Sequence, residues 1–227
     1  YDLFGAGRGS RRAGHSIMGD TIRVIAGLGN PGAEYADTRH NAGFWFVDQL
    51  AERHEAPLKY QRRLDAEVGR IRTGGEELWL IKPMSFMNRS GGPLRATLDY
   101  YRLDIEETLV AHDELDLPVG TLRLKKAGGH GGHNGLRDIV SHCGPEFFRL
   151  RIGIGHPGQS ERVVGHVLRR AGAEEQDKLD EAIDRAIKAL PKMVRRGPGV
   201  VMNEINRKPK KPKPPKPPAE SEAGDDS

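Results

Sequence analysis

Along the middle of this chain, short apolar segments alternate with segments whose apolar residues recur at helical spacing. That alternation restricts the fold more than any other feature. Ile22–Ala26 is a brief apolar run ending in glycines, the mark of a strand buried on both faces. Residues 40–54 then set Phe44, Val47, Leu50 and Ala51 at helical spacing. Ala66–Ile71 and Leu78–Ile81 flank Thr73-Gly74-Gly75 and read as a hairpin. A helix over Ser90–Tyr101 tolerates Pro93 in its first turn. Leu109–Ala111 and Thr121–Leu124 read as strands, Gly135–His142 as a short helix and Phe148–Ile154 as an alternating strand. A last helix carries Leu179, Ile183, Ala186, Ile187, Leu190 and Val194 on one face, with Pro191 as a point of kinking and Gly197 as its stop. Elements in this order predict an α/β fold, a single domain whose central mixed sheet is flanked by helices on both faces.

The alternation stops at both ends. Residues 1–17 are rich in Gly, Arg and Ser without periodicity, a flexible extension or tag, and a start-like Met18-Gly-Asp-Thr follows. The expected folded body is 18–207. Beyond it, 208–227 is a Lys/Pro run followed by acidic residues, which reads as an extended, disordered tail: a solubilising segment or an accessory nucleic-acid arm. No apolar run approaches the ~20 residues of a membrane helix or the ~7–15 of a signal core. The single cysteine, Cys143, leaves no internal disulfide, so the expected setting is a reducing cytoplasm with no membrane partner. Net charge is +4, but residues 18–206 hold 27 basic and 27 acidic residues. A polyanion partner of the body must therefore be argued from local clustering.

Chemistry gathers in five motifs. Gly27-Leu-Gly-Asn-Pro-Gly32 follows the first strand and satisfies the dinucleotide spelling G-x-G-x-x-G, but the polar residues after Pro31 suggest a loop, and the acid about 20 residues on, Asp48, sits in helical pattern. The other reading is a tight turn at a strand's C-terminal end that presents Asn30 to a crevice. Thr38-Arg-His-Asn brings His40 to a helix start, and His112-Asp113-Glu114 closes a strand. Asp113 could accept from one ring nitrogen of His40 while the other takes a proton from water. Lys82-Pro-Met-Ser-Phe-Met-Asn88 ends in an amide able to donate to an oxyanion or accept from a peptide N–H. Gly128-Gly-His-Gly-Gly-His-Asn-Gly135 lets backbone approach a ligand at a helix start. His130 and His133 raise metal ligation, but the remaining ligand set is poor. Residues 120–165 hold seven basic residues against three acidic, a phosphate-contacting surface on which Arg149 and Arg151 share a strand face. No G-x-S-x-G elbow or Walker loop appears, so the His–Asp pair among asparagines points to attack by activated water.

GLGNPG, TRHNAGF, KPMSFMN, HDELDLPVG, GGHGGHNGL and RLRIGIGHPG stand in the order found in bacterial peptidyl-tRNA hydrolases, which the chain resembles over about 22–206. The resemblance implies a monomer with a twisted mixed β-sheet, the peptidyl-tRNA hydrolase-like or phosphorylase-hydrolase-like fold. It implies hydrolysis of the ester between a peptide and the 3′-terminal ribose of tRNA, which recycles tRNA from stalled or dropped-off translation. By the same resemblance His40 is the base and Asp113 its partner. Asn30, Tyr35, Phe86, Met87, Asn88 and Asn134 bind substrate. Arg123, Lys125 and Arg151 hold the acceptor stem, Arg123 standing where the family often has lysine. No metal or other cofactor is implied, and His156 falls near a lid. The rival readings are a non-catalytic RNA-binding module on the same scaffold and a dinucleotide oxidoreductase.

Overall fold

The computed structural model describes residues 20–207, so the expectations for 1–17 and 208–227 lie outside the described residues. The chain runs β1 (Val24–Gly27), α1 (Ala42–Arg53), β2 (Lys59–Gln61), β3 (Ala66–Thr73), β4 (Glu76–Pro83), α2 (Gly91–Tyr101), β5 (Thr108–Glu114), β6 (Leu122–Lys126), α3 (Asn134–Cys143), β7 (Phe148–Gly153), α4 (Val163–Val167), α5 (Ala173–Arg196) and α6 (Pro198–Ile205). The seven strands form one sheet of order β2-β3-β4-β1-β5-β7-β6. β4, β1, β5 and β7 are mutually parallel, with antiparallel pairing toward both edges, so the sheet is mixed as expected. Each predicted element is present with shifted ends. Pro191 lies inside α5, and Gly197, at φ 85°, ends it. The unexpected elements, β2, α4 and α6, have only three, five and eight residues, too few to display a period.

β1 is buried along its whole length because it lies between β4 and β5 with helices on both faces. On one face Ile25, Leu80, Leu109 and Leu150 share a core with Phe46 and Leu50 of α1 and Leu179, Ile183 and Leu190 of α5. On the other, Val24, Ala26, Ile81 and Val110 pack with Leu94 and Leu98 of α2 and Leu136 and Ile139 of α3. Burying each such Leu or Ile contributes about 2 kcal/mol, so both layers hold the sheet. The edge at β6 is closed by one side chain: Asn206 accepts the N–H of Leu124 (2.6 Å) and donates to its carbonyl (3.1 Å). No helix among the described residues is long and apolar enough to cross a membrane.

Two consequences place the site. From β1 the chain goes to β4 on one side and then returns to β5 on the other, so a crevice opens beyond the C-terminal end of β1. The turn after β1, the loop after β4 and the end of β5 all reach it. In addition, α1 lies against the ends of β1 and β5 only because residue 43 is glycine: a Cβ there would stand 2.2 Å from the Ala111 carbonyl oxygen. This contact sets the start of α1, and the residues just before it, over the end of β5.

Candidate active site

The turn after β1 is fixed by a reciprocal amide pair. The Asn30 N–H donates to Oδ1 of buried Asn41 (2.8 Å), and Asn41 Nδ2 donates back to the Asn30 carbonyl (2.9 Å). Oδ1 of Asn30 accepts the N–H of Met87 (2.7 Å), which ties this turn to the loop after β4. With its oxygen engaged, Asn30 has its NH2 left to donate. The dinucleotide spelling serves packing instead: a Cβ on Gly27 would meet the Gly43 carbonyl oxygen at 2.3 Å. Turns follow Gly32, and α1 begins only at Ala42. Asp48 is on α1 and pairs with Lys82 (2.7 Å), so no acid waits at the end of a second strand.

His40 sits in a 3₁₀ turn, Arg39–Asn41, directly before α1. Its Nδ1 donates to Asp113 at the end of β5, 2.9 Å from Oδ2 and 3.0 Å from Oδ1. Nε2 of His40 has no hydrogen-bond partner among the described residues, and the ring borders the cleft. A second imidazole holds the same carboxylate: His133 Nε2 lies 2.9 Å from Asp113 Oδ1. The proton position on that ring is set by the fold. His133 caps α3, its Nδ1 accepting the N–H of Leu136 (3.3 Å), so Nε2 carries the proton and donates to Asp113.

Electrostatics follow from these contacts. Burial would raise the Asp113 carboxyl, but the charges and hydrogen bonds of His40 and His133 outweigh it and hold the group well below the usual carboxylate range. Burial would lower the His40 imidazole, and the Asp113 charge and hydrogen bond outweigh that too, leaving His40 above its ordinary 6.5. His112, one residue before Asp113, is buried and donates from Nδ1 to the Asp113 carbonyl (2.7 Å). Burial and then the neighbouring His133 push it down to about 3, so it stays neutral. Among the described residues, the one group with three donors of metal-ligand type is His40, Asp113 and His133. Their facing atoms are already engaged as hydrogen bonds to one another, and His130 stands apart, its Nδ1 accepting the N–H of Gly132 (3.1 Å).

The cleft encloses about 620 Å³ and brings Asn30, His40, Phe86, Met87, Asn88 and Asn134 together, with Asp113 behind His40. Tyr35 reaches it through Phe86, ring edge to ring face at 6.0 Å. Asn88 is exposed, and its amide makes no hydrogen bond among the described residues. Asn134 opens α3, and its Oδ1 accepts from Arg137 (3.2 Å). The cationic residues gather elsewhere. Lys125, Arg149 and Arg151 border a separate cavity of about 260 Å³ that His112 also lines. Arg149 is buried and donates to the carbonyls of Gly128 and Gly129, which fixes the glycine loop leading to His133. Arg151 pairs with Glu114 (2.9 Å). Arg123 is opposite Arg151 in the β6–β7 register and shares its sheet face, but it does not border the cavity and bonds the Leu122 carbonyl. His156 is exposed in the loop before α4, its Nδ1 accepting the N–H of Gly158 (3.0 Å).

Sequence reasoning passed over His133 as a carboxylate partner, Asn41 as the brace of Asn30, and Val164, Val167 and Leu168 of α4 and its end, which also wall the cleft. The HNG start of α3 was a usable signal for His133, because a histidine just before a helix can cap it. The five residues of α4 gave none.

A family model described as peptidyl-tRNA hydrolase matches residues 24–213. The peptidyl-tRNA hydrolase of Acinetobacter baumannii (strain AYE) is 52% identical over 185 residues, covering 82% of this chain and 96% of the relative. That of Edwardsiella ictaluri is 52% identical over 188 residues, covering 82% and 96%. The crystal structure of peptidyl-tRNA hydrolase from Acinetobacter baumannii superposes with a TM-score of 0.79 at 52% identity, covering 83% of this chain and 96% of the other. The chain belongs to the peptidyl-tRNA hydrolase family.

Proposed function

We propose that this chain hydrolyses the ester joining a peptide's carboxyl end to the 3′-terminal ribose of tRNA, releasing free tRNA and free peptide. The observation that carries the reading is the His40–Asp113 pair, 2.9 Å apart, bordering a cleft lined by three asparagines. Nδ1 of His40 is held by Asp113, so Nε2 takes the proton of a water. The resulting hydroxide adds to the ester carbonyl carbon, and Asp113 stabilises the imidazolium. Asn30, with only its NH2 free, donates to the developing oxyanion. The tetrahedral intermediate collapses, the ribose 3′-oxygen leaves, and the imidazolium returns its proton to that oxygen. His40 activates the water, so treatment with a chelator leaves the rate unchanged.

Recognition divides between the two hollows. Phe86, Met87 and the α4 side chains take the peptide. Asn88, with donor and acceptor both unused, meets the peptide amide. A substrate with a free amine presents a cation there and lacks the peptide carbonyl, so the asparagine NH2 is left without its acceptor. Lys125 and Arg151, with Arg123 on the same face, hold acceptor-stem phosphates and so accept many tRNA species. The enzyme acts as a cytoplasmic monomer within residues 18–207 and recycles tRNA from interrupted translation. A module that only bound RNA would have no use for the hydrogen-bonded His40–Asp113–His133 set.

The test is incubation of purified protein with one tRNA carrying either an N-acetylated or a free aminoacyl group. Release of the acetylated residue at least about a hundredfold faster is expected. Equal rates, or no release from either, would overturn the proposal.

A further inference from the structure

The three residues before His40 all grip the segment that ends α4. Asp37 pairs with Arg170, and Thr38 forms an isolated antiparallel bridge with Arg170. Arg39 makes the most contacts. Its backbone N–H donates to the Arg169 carbonyl (3.2 Å), and its Nη1 donates to the carbonyls of His166 and Arg169 (both 3.2 Å). Nη2 pairs with Glu175 in the first turn of α5 at 2.6 Å. Arg39 is 8% exposed, whereas Arg169 and Arg170 are exposed. The guanidinium therefore joins three elements from the inside: the turn that carries His40, the end of α4 and the start of α5.

What it holds is a wall of the cleft. Val164, Val167 and Leu168 line the same hollow as Phe86 and Met87. Val164 and Leu168 are 67% and 40% exposed. A five-residue helix cannot hold its place by its own hydrogen bonds, and its outward apolar residues gain little from the core. Buried Val167 and the His166 ring, 3.1 Å from the Ile154 carbonyl, anchor it to the core, and Arg39 ties it to the turn that carries the base. The planar fork of arginine suits that task, since it reaches two carbonyls and a carboxylate at once, which a lysine ammonium cannot match.

We propose that Arg39 is a positioning residue for substrate selection. It sets the apolar wall of α4 at a fixed distance from His40, so that the side chain of the esterified amino acid is held between that wall and Phe86 while its ester carbonyl lies at the base. This inference rests on the peptidyl-tRNA reading above.

The test uses one tRNA body acylated with N-acetylleucine or with N-acetylglycine. Wild-type hydrolysis of both checks the underlying reading by itself; absence of hydrolysis defeats that reading rather than the role of Arg39 alone. In Arg39→Ala the KM for the leucyl substrate rises about tenfold, and the KM for the glycyl substrate rises far less. The midpoint of the pH profile of kcat stays in place, because His40 and Asp113 are untouched. Arg39→Lys falls between, and Glu175→Gln, a change at the surface end of the pair, moves the leucyl-to-glycyl KM ratio the same way by less. If Arg39→Ala does not fold, these two variants decide by the same ratio. A loss confined to kcat, a displaced pH midpoint, or equal loss with both substrates would overturn the proposal.

Discussion

His40 and His112 flank one aspartate, one at the cleft and the other against the cationic cavity, and they titrate in opposite directions. Burial works against the charged form of both. At His40 the Asp113 carboxylate overcomes it and raises the imidazole. At His112 burial and then the repulsion of His133 outweigh both the Asp113 charge and the backbone carbonyl at Nδ1, and it falls to about 3. Depth opposes the proton at both rings, and at His40 alone the hydrogen-bonded carboxylate outweighs it. A neutral His112 adds no charge to the cavity, where Lys125, Arg149 and Arg151 stand with Glu114 and Asp116. Arg149 is spent on the glycine loop and Arg151 pairs with Glu114, so Lys125 is the one of the three without an ion-pair or hydrogen-bond partner among the described residues.

The largest expected effect breaks the cleft side of this contrast. His40→Ala lowers kcat on peptidyl-tRNA by at least about two orders of magnitude, the scale of a general base, while tRNA binding measured by filter retention holds. Normal turnover would remove His40 from the reaction. The next effect belongs to the cavity side. Arg151→Ala or Lys125→Ala weakens tRNA binding most at low salt and reduces the slope of log affinity against log salt by about one each, with single-turnover chemistry at saturation retained. An unchanged slope would leave the cavity without phosphate. Smaller still, Glu114→Gln frees Arg151 from its 2.9 Å pair and tightens tRNA binding a few-fold, on the order of 1 kcal/mol; weaker binding would show that Glu114 positions Arg151 rather than competing for it.

The smallest effect at neutral pH tests His112 itself. Its folded pKa is depressed to about 3 against 6.5 unfolded, so between those values the unfolded chain binds the extra proton. Its contribution to stability is complete above about pH 6.5 and is lost as pH falls toward 3, with a slope of at most about 1.4 kcal/mol per pH unit. His112→Asn removes that slope. Urea unfolding midpoints from neutral to mildly acidic pH should therefore fall less in the variant than in wild type, and parallel curves would mean that His112 is not the buried neutral group described.

The parallel centre of the sheet was legible because strands buried on both faces must be apolar throughout, as Val24–Gly27 is, and because long helices such as α5 repeat an apolar face several times. β2 and α4 repeat nothing and left no pattern. At the site, residue types and strand-end positions suggested His40, Asp113 and the asparagines, and resemblance supplied their roles. What stayed hidden is pairing between distant segments. A histidine just before a helix suggests a cap through Nδ1, but nothing local to His133 says that its Nε2 then faces Asp113, 20 positions away. Likewise Arg39 has no neighbour in sequence that reveals its grip on carbonyls 127 and 130 positions further on. Charge clustering marked the cavity residues but could not separate Arg149, spent on the glycine loop, from Arg151.

The central claim is that Asp113 makes His40 a usable base. It is tested most directly by the single-turnover rate of peptidyl-tRNA hydrolysis as a function of pH in wild type and in Asp113→Asn. The base acts in its neutral form, so the wild-type rate rises with pH through a midpoint above 6.5. In Asp113→Asn the burial of His40 is no longer opposed by a negative charge, so the midpoint moves to lower pH and the plateau falls by about two orders of magnitude or more. A midpoint that stays where it was, or a variant whose plateau matches wild type, would contradict the account.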